Sequence, residues 1–142
     1  MKFDFHKKKY GKELLLDCIK ISGSNKFIKD RTPFNVSFHE LFFITEGSGI
    51  FKLDNEKIPF QKGTILLLPP NKWRQWAVVE KAFDGYILIF EEEFITRFFN
   101  DALFLYRFHF FYNHAAPSFI RMDHDHFNDM VVRLEEIRTE LK

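Results

Sequence analysis

Apolar positions keep a strand-like rhythm as far as Phe90 and change to a helical spacing after it. The densest strand pattern is FHELFFITEGSGIFKLDNEKIPFQKGTILLLPPNKWRQW, residues 38–76. Aromatic and β-branched residues crowd 38–45, Gly47 and Gly49 interrupt them, and 50–53 resumes the pattern. Asp54-Asn55-Glu56-Lys57 turns the chain back. A third run, 64–68, starts after Gly63 and stops at Pro69-Pro70, because proline cannot donate to a sheet ladder. GYILIF at 85–90 is apolar on both faces and reads as a buried strand. Upstream, Leu14, Leu16 and Cys18 share one face at period two while Leu15 and Ile19 take the other, which favours a strand over a helix at 13–21. The turn clusters at 22–25 and 30–33 separate that strand from the central stretch. At least five short strands divided by turn signals predict an antiparallel barrel or sandwich rather than an alternating α/β fold.

Beyond Phe90, Glu91-Glu92-Glu93 complements a helix N-terminus, and Phe94, Ile95, Phe98 and Phe99 follow at helical spacing, predicting a helix over 91–100. Residues 103–112 are aromatic on every side, so period alone does not separate helix from strand; a short helix ended by Ala115-Ala116-Pro117 is the assignment made. At 123–142, aspartates able to cap precede Phe127, Met130, Leu134, Ile137 and Leu141, spaced alternately by three and four. That stripe suits a helix packed on its own barrel as well as a homodimer seam, and two heptads do not choose between them. No glycine or proline stop follows before Lys142, so the chain is expected to be part of something longer. The organisation predicted is one domain, a β unit over 1–90 and a helical segment over 91–142 that packs on it, forms a dimer seam, or both.

Composition alters this picture at one point: 20 phenylalanines in 142 residues make an aromatic core or an aromatic-lined cavity. A net charge of +1 supplies no broad cationic field, so this chain alone is expected to bind nucleic acid poorly. The lone Cys18, the absence of a signal-type segment and the lack of any apolar run near the ~18 residues of a membrane span point to a cytoplasmic protein with no membrane partner.

Candidate chemistry is sparse. No G-x-S-x-G elbow or phosphate-binding glycine loop occurs; Gly47-Ser48-Gly49 sits in a hairpin context, and Cys18 in its apolar run reads as a buried, inert thiol. His124 and His126, flanked by Asp123 and Asp125, point to different faces of a helix, and neither they nor His109, His114, His6 and His39 come with a third and fourth ligand. No catalytic residue, metal or cofactor is therefore predicted. Recognition remains. Glu40 shares a strand face with Phe42, Ile44 and, less regularly, Glu46, and a carboxylate among aromatics needs a partner. Arg74, between Trp73 and Trp76, is placed to pair with Glu40, with a bound anion or with a polar ligand; a structural salt bridge or simple exposure are the other readings. The ring faces of Trp76 and Tyr86 suit stacking on a sugar or a planar effector.

The stretch GTILLLPPNKWR, 63–74, resembles the second cupin motif, a glycine, five residues, a proline, then a histidine five positions on, with Arg74 in the histidine's place. Glu40 followed seven residues later by Gly47 resembles the end of the first cupin motif, whose two upstream histidines fall near Pro33-Phe34 and Asn35-Val36. Together HELFFITEGSG, GTILLLPPNKWRQW and GYILIFEEEFI resemble the N-terminal sensor domain of AraC-type bacterial transcription regulators, over residues 34–99. The resemblance implies a cupin-like double-stranded β-helix, an antiparallel barrel or jelly roll, followed by C-terminal α-helices. It further implies a non-enzymatic domain that senses a small-molecule effector and dimerises, controlling a C-terminal helix-turn-helix DNA-binding domain outside this chain. Sugar-responsive relatives contact the effector just past the second motif and on the next long strand. Those positions are Trp76 and residues 85–87, which with Glu40, Phe42, Ile44 and Arg74 make Tyr86 and Ile87 the remaining pocket candidates. The alternatives are a metal-dependent cupin enzyme, such as an isomerase or dioxygenase, and a structural dimer module whose barrel is filled by its own phenylalanines.

Overall fold

The computed structural model describes residues 2–3, 16–21, 33–79, 82–91 and 119–140. In chain order its elements are β1 (Lys2–Phe3), β2 (Leu16–Lys20), β3 (Asn35–Val36), β4 (His39–Glu46), β5 (Gly49–Leu53), β6 (Glu56–Phe60), β7 (Thr64–Leu68), β8 (Arg74–Val79), β9 (Asp84–Phe90), β10 (Phe119–Arg121) and α1 (His124–Glu140). Five strands form an antiparallel sheet in the order β10-β7-β4-β9-β2, three form a second antiparallel sheet in the order β6-β5-β8, and β1 pairs with β3 in parallel. The fold is a mainly antiparallel, cupin-type β barrel with a C-terminal helix.

Strand ends follow the turn chemistry. Gly47 and Gly63 adopt φ of 89°, a region open to glycine at little cost, where β4 ends and just before β7 begins. Asp54 at φ 50° turns β5 into β6. Gly47-Ser48-Gly49 is not a hairpin, however: β4 and β5 belong to different sheets, and the segment crosses from one to the other. Gly49 is required for a different reason, since a Cβ there would stand 2.0 Å from the Val78 carbonyl oxygen of the neighbouring strand.

Period two then sorts side chains into layers. Phe42, Ile44, Leu66, Leu68, Ile87 and Ile89 of the large sheet meet Phe51, Leu53, Ile58, Phe60 and Trp76 of the small one, and these fill the space between the sheets. The alternate residues Cys18, Phe43, Ile65, Leu67 and Tyr86 face outward from the large sheet, where Phe127 and Leu134 of α1 cover them and Met130, Val131 and Ile137 pack alongside.

Three elements depart from the sequence reading. β6 forms despite Pro59 because it ends its sheet's strand order, where a missing amide donor costs little. β8 occupies a stretch after Pro69-Pro70 to which the sequence pattern assigned no strand. The barrel also takes β10, paired with β7, from beyond Phe90, where the pattern led to helices alone. The helices expected at 91–100 (apart from Glu91) and 103–112, together with Leu141, His109 and His114, lie outside the described residues. Among the described residues no helix is long and apolar enough to cross a membrane.

Candidate functional site

Alternation along β4 turns Glu40 to the inner face with Phe42 and Ile44, while the less regular Glu46 is exposed beyond a register shift. Arg74 opens β8. Its backbone is clamped to Phe34 by two 2.9 Å hydrogen bonds, Phe34 N–H to Arg74 O and Arg74 N–H to Phe34 O, so its side chain projects inward and is only 1% exposed. There Nη1 donates to the Glu40 carboxylate, Nη2 to the Pro69 carbonyl at 2.5 Å and Nε to the Lys72 carbonyl at 3.3 Å. Of the roles open to Arg74, pairing with Glu40 is the one present. Burial raises the Glu40 carboxyl above the ordinary carboxylate value, with Arg74 pulling it back. The same burial lowers Arg74 against the opposing pull of Glu40, yet a guanidinium stays protonated. The pair is thus a near-neutral knot that ties the loop before β8 to the centre of the large sheet.

Trp76 follows inward on the same strand and is 2% exposed. Ring centroids of Phe51, Phe83, Phe42 and Phe60 lie 4.8, 4.9, 5.0 and 5.6 Å from it, so its faces and edges are already occupied. Trp76, a candidate stacking platform, is packed here as part of an aromatic core, with Phe42 and Ile44 in the same layer. Tyr86 and Ile87 are adjacent on β9 and so point to opposite faces. Ile87 joins the interior; Tyr86 faces α1, donating its hydroxyl to Glu135 at 2.7 Å under the Lys20 ammonium, 4.6 Å from the ring. Burial, then the bond to Glu135, pushes its phenol up to about 12. These two candidates cannot line one cavity.

Of the two roles open to the helical stripe, packing on the chain's own barrel is seen at two positions. Phe127 and Leu134 are covered by the chain's own sheet, while Met130 and Ile137 are partly buried beside them. Asp123 caps α1 through Oδ1, which accepts the His126 N–H at 2.9 Å, while Oδ2 meets His126 Nδ1 at 2.5 Å. His124 contacts Asn128 instead, and His39 is buried on the outer face, stacked 5.2 Å from Phe90. Among the described residues no group of three or more His, Cys, Asp or Glu side chains is gathered to hold a metal. Cys18 points its thiol at the Leu134 carbonyl, 3.6 Å away, and burial pushes it up to about 11.

Sequence reasoning passed over Trp73, naming it only as a neighbour of Arg74. With Arg74 and Trp76 turned inward, period two sends Gln75 outward, and Trp73 just before the strand is 50% exposed. It borders a cleft of about 200 Å³ lined by Pro33, Lys52, Asp54, Trp73, Arg74 and Gln75. Asp54 N–H donates to Trp73 O at 2.7 Å and Trp73 N–H to Asp54 Oδ1 at 3.0 Å, which locks the two loops together.

A two-sheet antiparallel barrel carrying its C-terminal helix on one sheet, with a buried acid–guanidinium pair inside, defines a cupin-type binding domain. The family of AraC-like ligand binding domains matches residues 24–129, and the chain belongs to that family. No curated protein matches it. Among solved structures, a variant of Streptomyces PAC13 with uridine is similar at 21% identity and a TM-score of 0.36, over 41% of this chain and 46% of that one. A Cupin 2 conserved barrel domain protein from Salinispora arenicola gives 25% identity and 0.36 over 44% and 53%. The plu4264 protein of Photorhabdus luminescens gives 20% and 0.39 over 60% and 86%. The chain thus spans about half the length of the first two.

Proposed function

We propose that the chain is the effector-sensing domain of an AraC-type bacterial transcription regulator: a cytoplasmic, non-enzymatic module that responds to a sugar or another small metabolite. The barrel receives the signal and the C-terminal helical segment carries it to a helix-turn-helix unit, which alone contacts DNA. Dimerisation belongs to this reading too, with Met130 and Ile137, the partly buried members of the helical stripe, as the candidate contacts among the described residues.

The observation that carries the non-enzymatic reading is the Glu40–Arg74 pair. Where the cupin motifs would place metal ligands, this chain has a guanidinium, which offers no lone pair to a metal and holds the one remaining acidic ligand itself. A screen of sugars, amino acids and aromatic metabolites by thermal shift tests the sensor. At least one compound is expected to raise the melting temperature in proportion to its occupancy, and no response across the panel would remove the reading. Stoichiometric iron, zinc or manganese on the purified protein would instead support the metal-dependent enzyme. The packed ring cluster about Trp76 favours a second reading, a structural module filled by its own aromatics, which a saturable thermal shift excludes.

A further inference from the structure

We propose that the outer face of the three-stranded sheet carries a binding site for a single-ring aromatic carboxylate, seated between the Trp73 indole and the Lys52 ammonium. The site lies outside the barrel interior and stands whether or not the barrel itself is a sensor.

Three features converge there. Phe51 and Leu53 point inward on β5, so Lys52 between them points outward, and its partners across the ladder are Gln75 on one side and Lys57 on the other. Two lysines directly opposite on one sheet face repel each other. Neither ammonium has a carboxylate within ion-pair distance among the described residues, whereas Lys20 on the other sheet has Asp84 at 3.2 Å. Trp73 supplies the second feature, an indole half exposed at the rim and, among the described residues, without a ring partner. The third is rigidity. Asp54 and Asn71, the non-glycine residues with left-handed φ among those described, lie in the two loops that frame the cleft, and the Asp54–Trp73 bonds join these loops over the buried Arg74. The platform is therefore set before any ligand arrives, which lowers the cost of binding.

Charge selects the ligand. Lys52 is the ammonium that lines the cleft, with Lys57 directly across the ladder beyond it, while Asp54 already gives one carboxylate oxygen to the Trp73 amide and Arg74 is paired with Glu40. The ligand's charge is therefore met at one point, the Lys52 ammonium, which suits a single carboxylate. The exposed indole face calls for a flat ring, and about 200 Å³ leaves room for one ring.

Sodium benzoate is the probe, with benzamide supplying the ring without the charge and acetate the charge without the ring. The chain has two tryptophans, so NMR of the indole N–H protons yields two resonances. Benzoate is expected to shift the Trp73 resonance saturably and leave that of the buried Trp76 in place. Lys52→Gln should weaken binding roughly tenfold, the loss of one charged contact, and Trp73→Ala should abolish it; both positions are at the surface, and circular dichroism verifies that each variant folds. Benzamide and acetate should each bind at least tenfold more weakly. Equal binding by acetate, a shift confined to Trp76, no response to benzoate, or affinity unchanged by Lys52→Gln would overturn the proposal. If benzoate is inert while another metabolite raises the melting temperature without moving Trp73, the cleft proposal falls and the sensor reading stands.

Discussion

Replacing Arg74 with methionine keeps much of the buried volume but strands the Glu40 carboxylate between the sheets. Removing one partner of a buried pair costs about 3–5 kcal/mol, because the remaining charge loses its compensation while staying out of water. Against a total stability of roughly 5–15 kcal/mol for a domain, that is a large fraction. The carbonyls of Pro69 and Lys72 add little to the loss, since both residues lie at or near solvent and water can replace the guanidinium. The double variant Glu40→Leu/Arg74→Met removes both charges and should return to within about 2 kcal/mol of the parent, or exceed it. The pH dependence has a definite sign. The folded-state value of Glu40 lies above its ordinary 4.5, so the native state holds that proton more tightly than the unfolded chain. Its contribution is complete below the unfolded value and is lost as pH rises through the folded one. Arg74 supplies the influences that lower Glu40, so removing it raises the folded value further. The penalty in Arg74→Met should therefore be greatest at neutral pH and shrink on acidification. Urea unfolding followed by tryptophan fluorescence, at about pH 7.5 and about pH 5, measures both effects. A penalty below about 1 kcal/mol at neutral pH, one independent of pH, or a double variant no better than the single would refute the reasoning.

Three further outcomes are expected. Phe127→Ala should cost about 3–5 kcal/mol by urea unfolding, through the cavity left between α1 and the large sheet, and should do so at protein concentrations where the chain is monomeric. Tyr86→Phe should lose about 0.5–1.5 kcal/mol with the bond to Glu135. In the parent, ultraviolet titration should find this phenol ionising near 12; being raised, its contribution persists below the ordinary value of 10.0 and is lost as pH climbs through about 12. Cys18, with its thiol pushed up to about 11 behind Leu134, should react with a thiol reagent only as the helix opens, so that Phe127→Ala accelerates labelling.

Much of the strand inventory was legible from residue type. β4, β5, β7 and β9 coincide with the aromatic and β-branched runs between glycines and prolines, and β2 with the alternation about Cys18. The inward turn of Glu40 follows from the same alternation, and the need of a buried carboxylate for a cation made Arg74 its natural partner. β6 and β8 were not legible, the first because Pro59 sits inside it, the second because RQWAVV follows a proline pair and carries an arginine at its head. In both cases pairing with β5 overrides local preference.

What the sequence by itself determined is the alternation: which residues share a face of each strand, where the chain must turn, and that a buried Glu40 would need a partner, for which Arg74 was one candidate. The tertiary structure alone decided what each face meets. Trp76 became core because β8 lies against β5 and brings four phenylalanine rings around it. Tyr86 and Ile87 were parted by the sheet between them, and Phe127 and Leu134 of the stripe on α1 were covered by the chain's own barrel. Periodicity is local, whereas burial depends on pairings between residues far apart in the chain, such as Phe42 with Ile87 and Cys18 with Leu134. The same rule exposed Trp73: once Arg74 turned inward to Glu40, the indole before it was left at the surface in a cleft shared with Lys52.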